Sequence, residues 1–122
     1  QEGQCTLDMA RRQILPATLR YQGDLAKTIA DTKALLGEGS LKAQLETLKQ
    51  IAELNGSLKT KLDELEKALD HEDADVLKHA THFKESVIPK MNAVREVADK
   101  LETMVDSQYW PLPTYAEMLF IA

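Results

Sequence analysis

The chain has 122 residues and a formal charge of −5, and aromatic residues make up 5% of it, so a single domain must draw its core from Leu, Ile, Val, Met and Ala, the palette of a helical bundle. The acidic balance, with no dense Lys/Arg run, argues against nucleic acid, and no apolar run approaches the ~20 residues that span a bilayer. Cys5 is the single cysteine and cannot close an internal disulfide, which together with the lack of a signal-peptide pattern leads to an expected cytoplasmic location. The chain starts at Gln1 without Met, which is compatible with a piece cut from a longer protein and equally with processing of the terminus.

Leu7, Ala10, Ile14, Ala17, Tyr21, Leu25, Ile29, Thr32 and Leu36 step by three or four, which predicts a helix over about 6–36 with one apolar face. Pro16 falls inside this pattern and predicts a bend there, not a stop. Gly37-Glu38-Gly39 ends the helix, and Ser40 is placed to cap the next. A second helix is expected over about 41–69, on the stripe Leu41, Leu45, Leu48, Ile51, Leu54, Leu58, Leu62, Leu65 and Leu69. Asn55-Gly56-Ser57 has turn chemistry, but the stripe crosses it without a phase jump. We therefore expect one continuous helix with a soft spot of about 1 kcal/mol at Gly56. Asp63 and Lys67 are spaced as a surface ion pair.

Asp70-His71-Glu72-Asp73 reads as the second turn, its acids suited to the positive end of a third helix over about 73–105. That helix carries Val76, Ala80, Phe83, Val87, Met91, Val94, Ala98, Leu101 and Val105, interrupted by Pro89 much as Pro16 interrupts the first. Ile14-Leu15-Pro16-Ala17 and Val87-Ile88-Pro89-Lys90 echo each other over too few letters to make a repeat. Pro111 and Pro113 then impose an extended approach to Thr114 and Glu117, a capping box that predicts a short last helix over 114–121. The expected fold is all-α: an elongated up-down-up antiparallel three-helix bundle with a short fourth C-terminal helix, residues 1–122 forming one domain.

Few residues offer chemistry. His79, His82 and Glu85 share a helical surface at a spacing that can hold a metal, but a di-metal bundle needs a second Glu-x-x-His, which is missing. Cys5 has no His partner near it in sequence and reads as an inert, half-buried thiol. Glu64 and Glu66 belong to a solvated helix face, and there is no phosphate loop, serine elbow or zinc spacing. No catalytic, cofactor-binding or metal residue is therefore expected. The tail is the exception to this blandness. Tyr109 and Trp110 are large amphipathic anchors, and a terminus so apolar must dock, with Trp110, Pro111, Pro113, Tyr115, Leu119 and Phe120 as candidate interface residues. Closing the end of its own bundle is, on composition, an equal use for it.

Two segments resemble a known family. Thr6-Leu7-Asp8-Met9-Ala10-Arg11-Arg12-Gln13-Ile14-Leu15-Pro16-Ala17 and Trp110-Pro111-Leu112-Pro113-Thr114-Tyr115-Ala116-Glu117-Met118-Leu119-Phe120 are similar to the C-terminal helical region of type III glutamine synthetases. That resemblance implies a large cytoplasmic ligase that phosphorylates glutamate with ATP and lets ammonia displace the phosphate. Magnesium or manganese would neutralise the phosphates, and the family assembles as stacked hexameric rings. It also implies that the metal, ammonia and nucleotide sites lie in upstream domains, so the chain alone is expected to have no synthetase activity and no cofactor of its own. Its expected partners are its own catalytic domain and neighbouring subunits. The alternative is a free-standing adaptor that binds a partner helix along the leucine face; a start codon near Gln1 would favour it, and a long upstream reading frame the ligase.

Overall fold

A computed structural model of the chain describes residues 2–70 and 75–112, save the side chain of Ser40. Helix α1 (Glu2–Met9) runs through a π turn (Ala10–Ile14) into α2 (Leu15–Leu36); α3 (Lys42–Leu69) follows a short 3₁₀ turn (Glu38–Ser40). Helix α4 (Val76–His82) runs through a second π turn (Phe83–Val87) into α5 (Ile88–Met104). Among the described residues there are thus three long helical rods and no strand. The expected helix over 114–121 lies outside them.

Several boundaries differ from expectation. The first rod begins by Glu2, not near Thr6, because Gly3 and Leu7 extend its buried face to the start. Ser40 is not the N-cap of α3: Leu41 takes that position, without a side-chain bond. The third rod begins at Val76, not near Asp73. Asp75 is extended, and its carboxylate accepts from the amides of Leu77 at 2.9 Å and Lys78 at 3.3 Å, the bonds of an N-cap. Val76, expected to open the apolar stripe, is 83% exposed, and the stripe reaches the core only at Phe83 and Val87. Gly3 is level with Val87, its ideal Cβ 3.2 Å from Cγ1, so none of the described residues of the first rod lies opposite α4.

The prolines are accommodated in the same way twice. A proline within an α-helix strands the carbonyl four residues before it and collides with it. Here the preceding turn is widened: the Leu15 amide donates five residues back to Ala10 O, and the Ile88 amide to Phe83 O. Pro16 and Pro89 each become an opening residue of a new α-helix, where the missing N–H is not needed. The expected bend at Pro16 is this π turn, and the four-letter echo marks a shared device. With Gly3 opposite Val87 the two π turns stand eleven residues out of step, about 16 Å along the rods.

Helix α3 runs between the other two rods. Arg11 meets Asp63 and Glu66 near its end, whereas Asn55 donates to Thr18 O at 3.3 Å and to Gln22 Oε1 at 2.8 Å, so α3 and the first rod run in opposite directions. Leu58, Leu62 and Leu65 of α3, Met91, Val94 and Leu101 of α5, and Leu7 of α1 form the shared core. Asn55 is a buried polar residue in this seam; its amide fixes which turn of α2 it faces, a register role known from single polar core positions. Helix α5 ends beside Gln50 and Leu54, so the α2–α3 connection projects beyond the third rod. Ile29 and Leu41 are buried there outside the main cluster, whereas Leu35 and Leu36, the latter the expected end of the stripe, are 84% and 73% exposed.

Helix α3 passes unbroken through Asn55-Gly56-Ser57, as its stripe predicts. Gly56 has nothing within 4 Å of an added Cβ. Gly56→Ala should raise stability by about 1 kcal/mol, read as a higher urea midpoint with an unchanged slope.

Candidate interaction site

After α5 the chain reverses. Val105 is extended and buried, Asp106 Oδ1 accepts from the Gln108 amide at 2.9 Å, and the Tyr109 amide donates to Asp106 O. This tight turn sends residues 109–112 back as a strap over the groove between the first and third rods. Tyr109 donates its hydroxyl to the Asp24 carboxylate and meets the Tyr21 ring edge-on, with centroids 5.3 Å apart. The Asp24 bond, foremost among the causes, raises the Tyr109 pKa, so the phenol keeps its proton and its donor role.

Trp110 is 9% exposed and belongs to the main core. It lines a cavity of about 220 Å³ together with Met9, Ala10 and Ile14 of the first rod and Val94 and Ala98 of the third. Leu112 lines the same cavity and also a shallower depression beside Cys5, Asp8 and Arg12. The two segments singled out in the sequence, about a hundred positions apart, are therefore parts of one site: Trp110 and Leu112 sit on the π turn that Pro16 requires.

Arg11, within that π turn, holds the site to α3. Its guanidinium donates to Glu66 Oε2 at 2.8 Å and Oε1 at 3.2 Å and to Asp63 Oδ1 at 2.8 Å, a forked contact lysine could not reproduce. Glu66, expected to be an ordinary solvated residue, is thus an ion-pair partner across rods, and Asp63 bonds Lys59 and Arg11, not Lys67. The Arg11 hydrogen bond lowers the pKa of Glu66; that of Asp63 is lowered first by Lys59 and then by Arg11.

The other candidates lie apart from this site. His79 is exposed, and His82 points a ring nitrogen at Ala68 O, 2.8 Å away near the C-terminus of α3. Among the described residues no three His, Cys, Asp or Glu side chains converge as metal ligands, and no helix is long and apolar enough to cross a membrane. Cys5, expected to be half-buried, is exposed, because it lies on the outer side of α1. Of the candidate interface residues, Trp110 is buried in its own bundle and Pro111 is exposed; Pro113, Tyr115, Leu119 and Phe120 lie outside the described residues. Sequence reading missed Tyr21, Asp24 and Arg11, whose partners are 52 to 88 positions away and leave no local pattern.

A scan against protein families finds no match. Similarity to individual proteins covers nearly the whole chain but little of each relative, which marks it as similar to one helical segment of a larger enzyme. The chain is 30% identical over 117 residues to a glutamine synthetase of Butyrivibrio fibrisolvens, covering 93% of this chain and 16% of that protein. It is 28% identical over 120 residues to the glutamine synthetase of Bacteroides fragilis strain YCH46, with the same two shares. It is 28% identical to the type-3 glutamine synthetase of Dictyostelium discoideum, over 98% of this chain and 17% of that one. The resemblance to type III glutamine synthetases carried by the two motifs thus extends along the chain.

Trp110→Ala removes a core side chain from a site already partly hollow and should cost about 3 kcal/mol, measured by urea unfolding. The ion-pair cluster makes a prediction about pH. Asp63 and Glu66 ionise more readily in the folded chain than at their ordinary values of 3.8 and 4.5. Their contribution is therefore whole above about pH 5 and is lost as pH falls through the lower folded values. Arg11→Met, which keeps the apolar stem, should shrink the fall in melting temperature between about pH 6 and pH 3.

Proposed function

We propose that the chain is the C-terminal helical domain of a type III glutamine synthetase and that it braces the assembly of the parent enzyme without doing chemistry itself. The observation that supports this most directly is the match over 93% of the chain to 16% of a glutamine synthetase, with Trp110 and Leu112 of one motif segment lining a cavity with Met9, Ala10 and Ile14 of the other. On this reading residues 1–122 are one up-down-up bundle, closed by a short helix over 114–121. The parent ligates ammonia to glutamate through a γ-glutamyl phosphate in the cytoplasm, with ATP and magnesium or manganese held by upstream domains.

The partners are the parent's own catalytic domain and neighbouring subunits of a homo-oligomer. The tail is the shared element. Trp110 anchors it to the bundle, and Pro111, Pro113, Tyr115, Leu119 and Phe120 belong to a stretch with apolar residues on more than one side. A helix with apolar residues on more than one side needs cover on each of those sides, so bundle and partner each cover part of it.

Phe120→Asp in the full-length enzyme should shift the oligomer toward smaller species by light scattering, as a charge placed at an interface would. An oligomer of unchanged mass would overturn the tail's role in assembly.

A further inference from the structure

Three glycines stand inside the described α-helices: Gly3, Gly23 and Gly56. Gly3 is there for want of room, since an added Cβ would lie 2.7 Å from Leu69 Cδ2. Neither Gly23 nor Gly56 has anything within 4 Å of that position, so packing asks for glycine at neither. Alanine would suit both helices better, because glycine gives up more backbone freedom on folding. What the two glycines do offer is little resistance to a change of backbone angle.

Their heights single out one level of the molecule. Asn55 donates to Gln22 Oε1 and the two rods run in opposite directions, so Gly23 and Gly56 lie about one turn apart. Helix α5 stops at the same level: Met104, its last residue, shares a depression with Leu54 and Ser57. Two rods thus each carry an unforced glycine where the third rod ends. The Gly56 carbonyl also accepts from the Thr60 hydroxyl at 3.2 Å, a back-bond that competes with the helix ladder and favours bending.

A buried group at this level disfavours the straight form. Asn55 is 3% exposed, and its Oδ1 accepts no hydrogen bond from the described residues. Turning the amide over does not help, because Thr18 O can only accept and Nδ2 must face it. A buried acceptor left unmatched is costly, and the cost falls when the seam opens enough to admit water.

We propose that the α2–α3 hairpin beyond this level is an arm that swings as a unit on the three-rod bundle, hinged at Gly23 and Gly56. The two bonds donated by Asn55 pin α2 to α3 at the pivot, so both rods bend together. The contact of Tyr109 with Asp24 lies next to Gly23, where a swing moves it least. The swing sets the direction in which Leu35 and Leu36, both bare, are presented. The inference rests on neither the parent enzyme nor the tail.

The test uses the 122-residue chain with Cys5→Ser and spin labels on pairs of cysteines at exposed sites, read as distance distributions by pulsed electron resonance. Glu46→Cys with Glu96→Cys spans arm and bundle, whereas Asp31→Cys with Glu46→Cys lies within the arm. The arm-to-bundle distribution should be about twofold wider than the within-arm one, and Gly23→Ala with Gly56→Ala should narrow it to the within-arm width. Both alanines have room, so the variant folds. Equal widths for the two pairs in the chain with its glycines would overturn the proposal, as would an arm-to-bundle width that the alanines leave unchanged. A broad within-arm distribution would also count against it decisively, because the hairpin would then be fraying and not swinging. None of these results bears on assembly of the full enzyme, which the Phe120→Asp measurement reads separately.

Discussion

A proline has no amide hydrogen, and Pro16 brings that deficit into the middle of a rod packed against two others. An ordinary α-turn there would leave a carbonyl stranded and strike the ring. The π turn over Ala10–Ile14 removes both problems by reaching back one residue further, and the rod continues without a break. The cost is a wider turn, and the small Ala10 side chain within it leaves a hollow facing α5. Trp110 lines that hollow, Arg11 of the same turn clamps α3, and the strap that delivers Trp110 is fastened by Tyr109 to Asp24. The strap over residues 109–112 is positioned by a defect about a hundred positions earlier in the chain.

This arrangement explains why the recognisable letters of the sequence lie at opposite ends. Rods with leucine stripes can exchange one apolar residue for another at modest cost, so their letters carry little identity. A π turn beside a proline and a tryptophan that packs against it constrain each other. The segments around Pro16 and Trp110 therefore look like a family fingerprint, while α3 reads as generic helix. Pro89 uses an identical turn, and among the described residues no strap crosses it.

The number of rods, their order and the continuity of α3 were legible because apolar residues every three or four positions report which face of a helix is covered. Periodicity does not report whether anything stands opposite. Val76 and Leu36 keep the period and are exposed, because the described parts of the rods are staggered, a property of the assembled bundle. The site was half legible. Pro16 and Trp110 stood out by residue type, but that they meet depends on the reversal at Asp106–Tyr109 and on the register that Gly3 allows against Leu69 and Val87. Arg11, with acids available in every direction, gave no sign of choosing Asp63 and Glu66. Asn55 looked like a turn residue by type, and only its burial against Thr18 and Gln22 shows it to be a lock between rods.

Among the described residues the stagger leaves the α2–α3 end two rods thick, where the middle of the bundle around Leu58 and Leu62 is three. A beam thinned at one end bends there first. Thermal agitation in this chain should collect in the overhang around Leu35, Leu36 and Leu45, where each rod has a single neighbour, and spare the half that holds Trp110. Mechanically, this end is a compliant antenna on a stiffer block, and the antenna carries Leu35 and Leu36 bare.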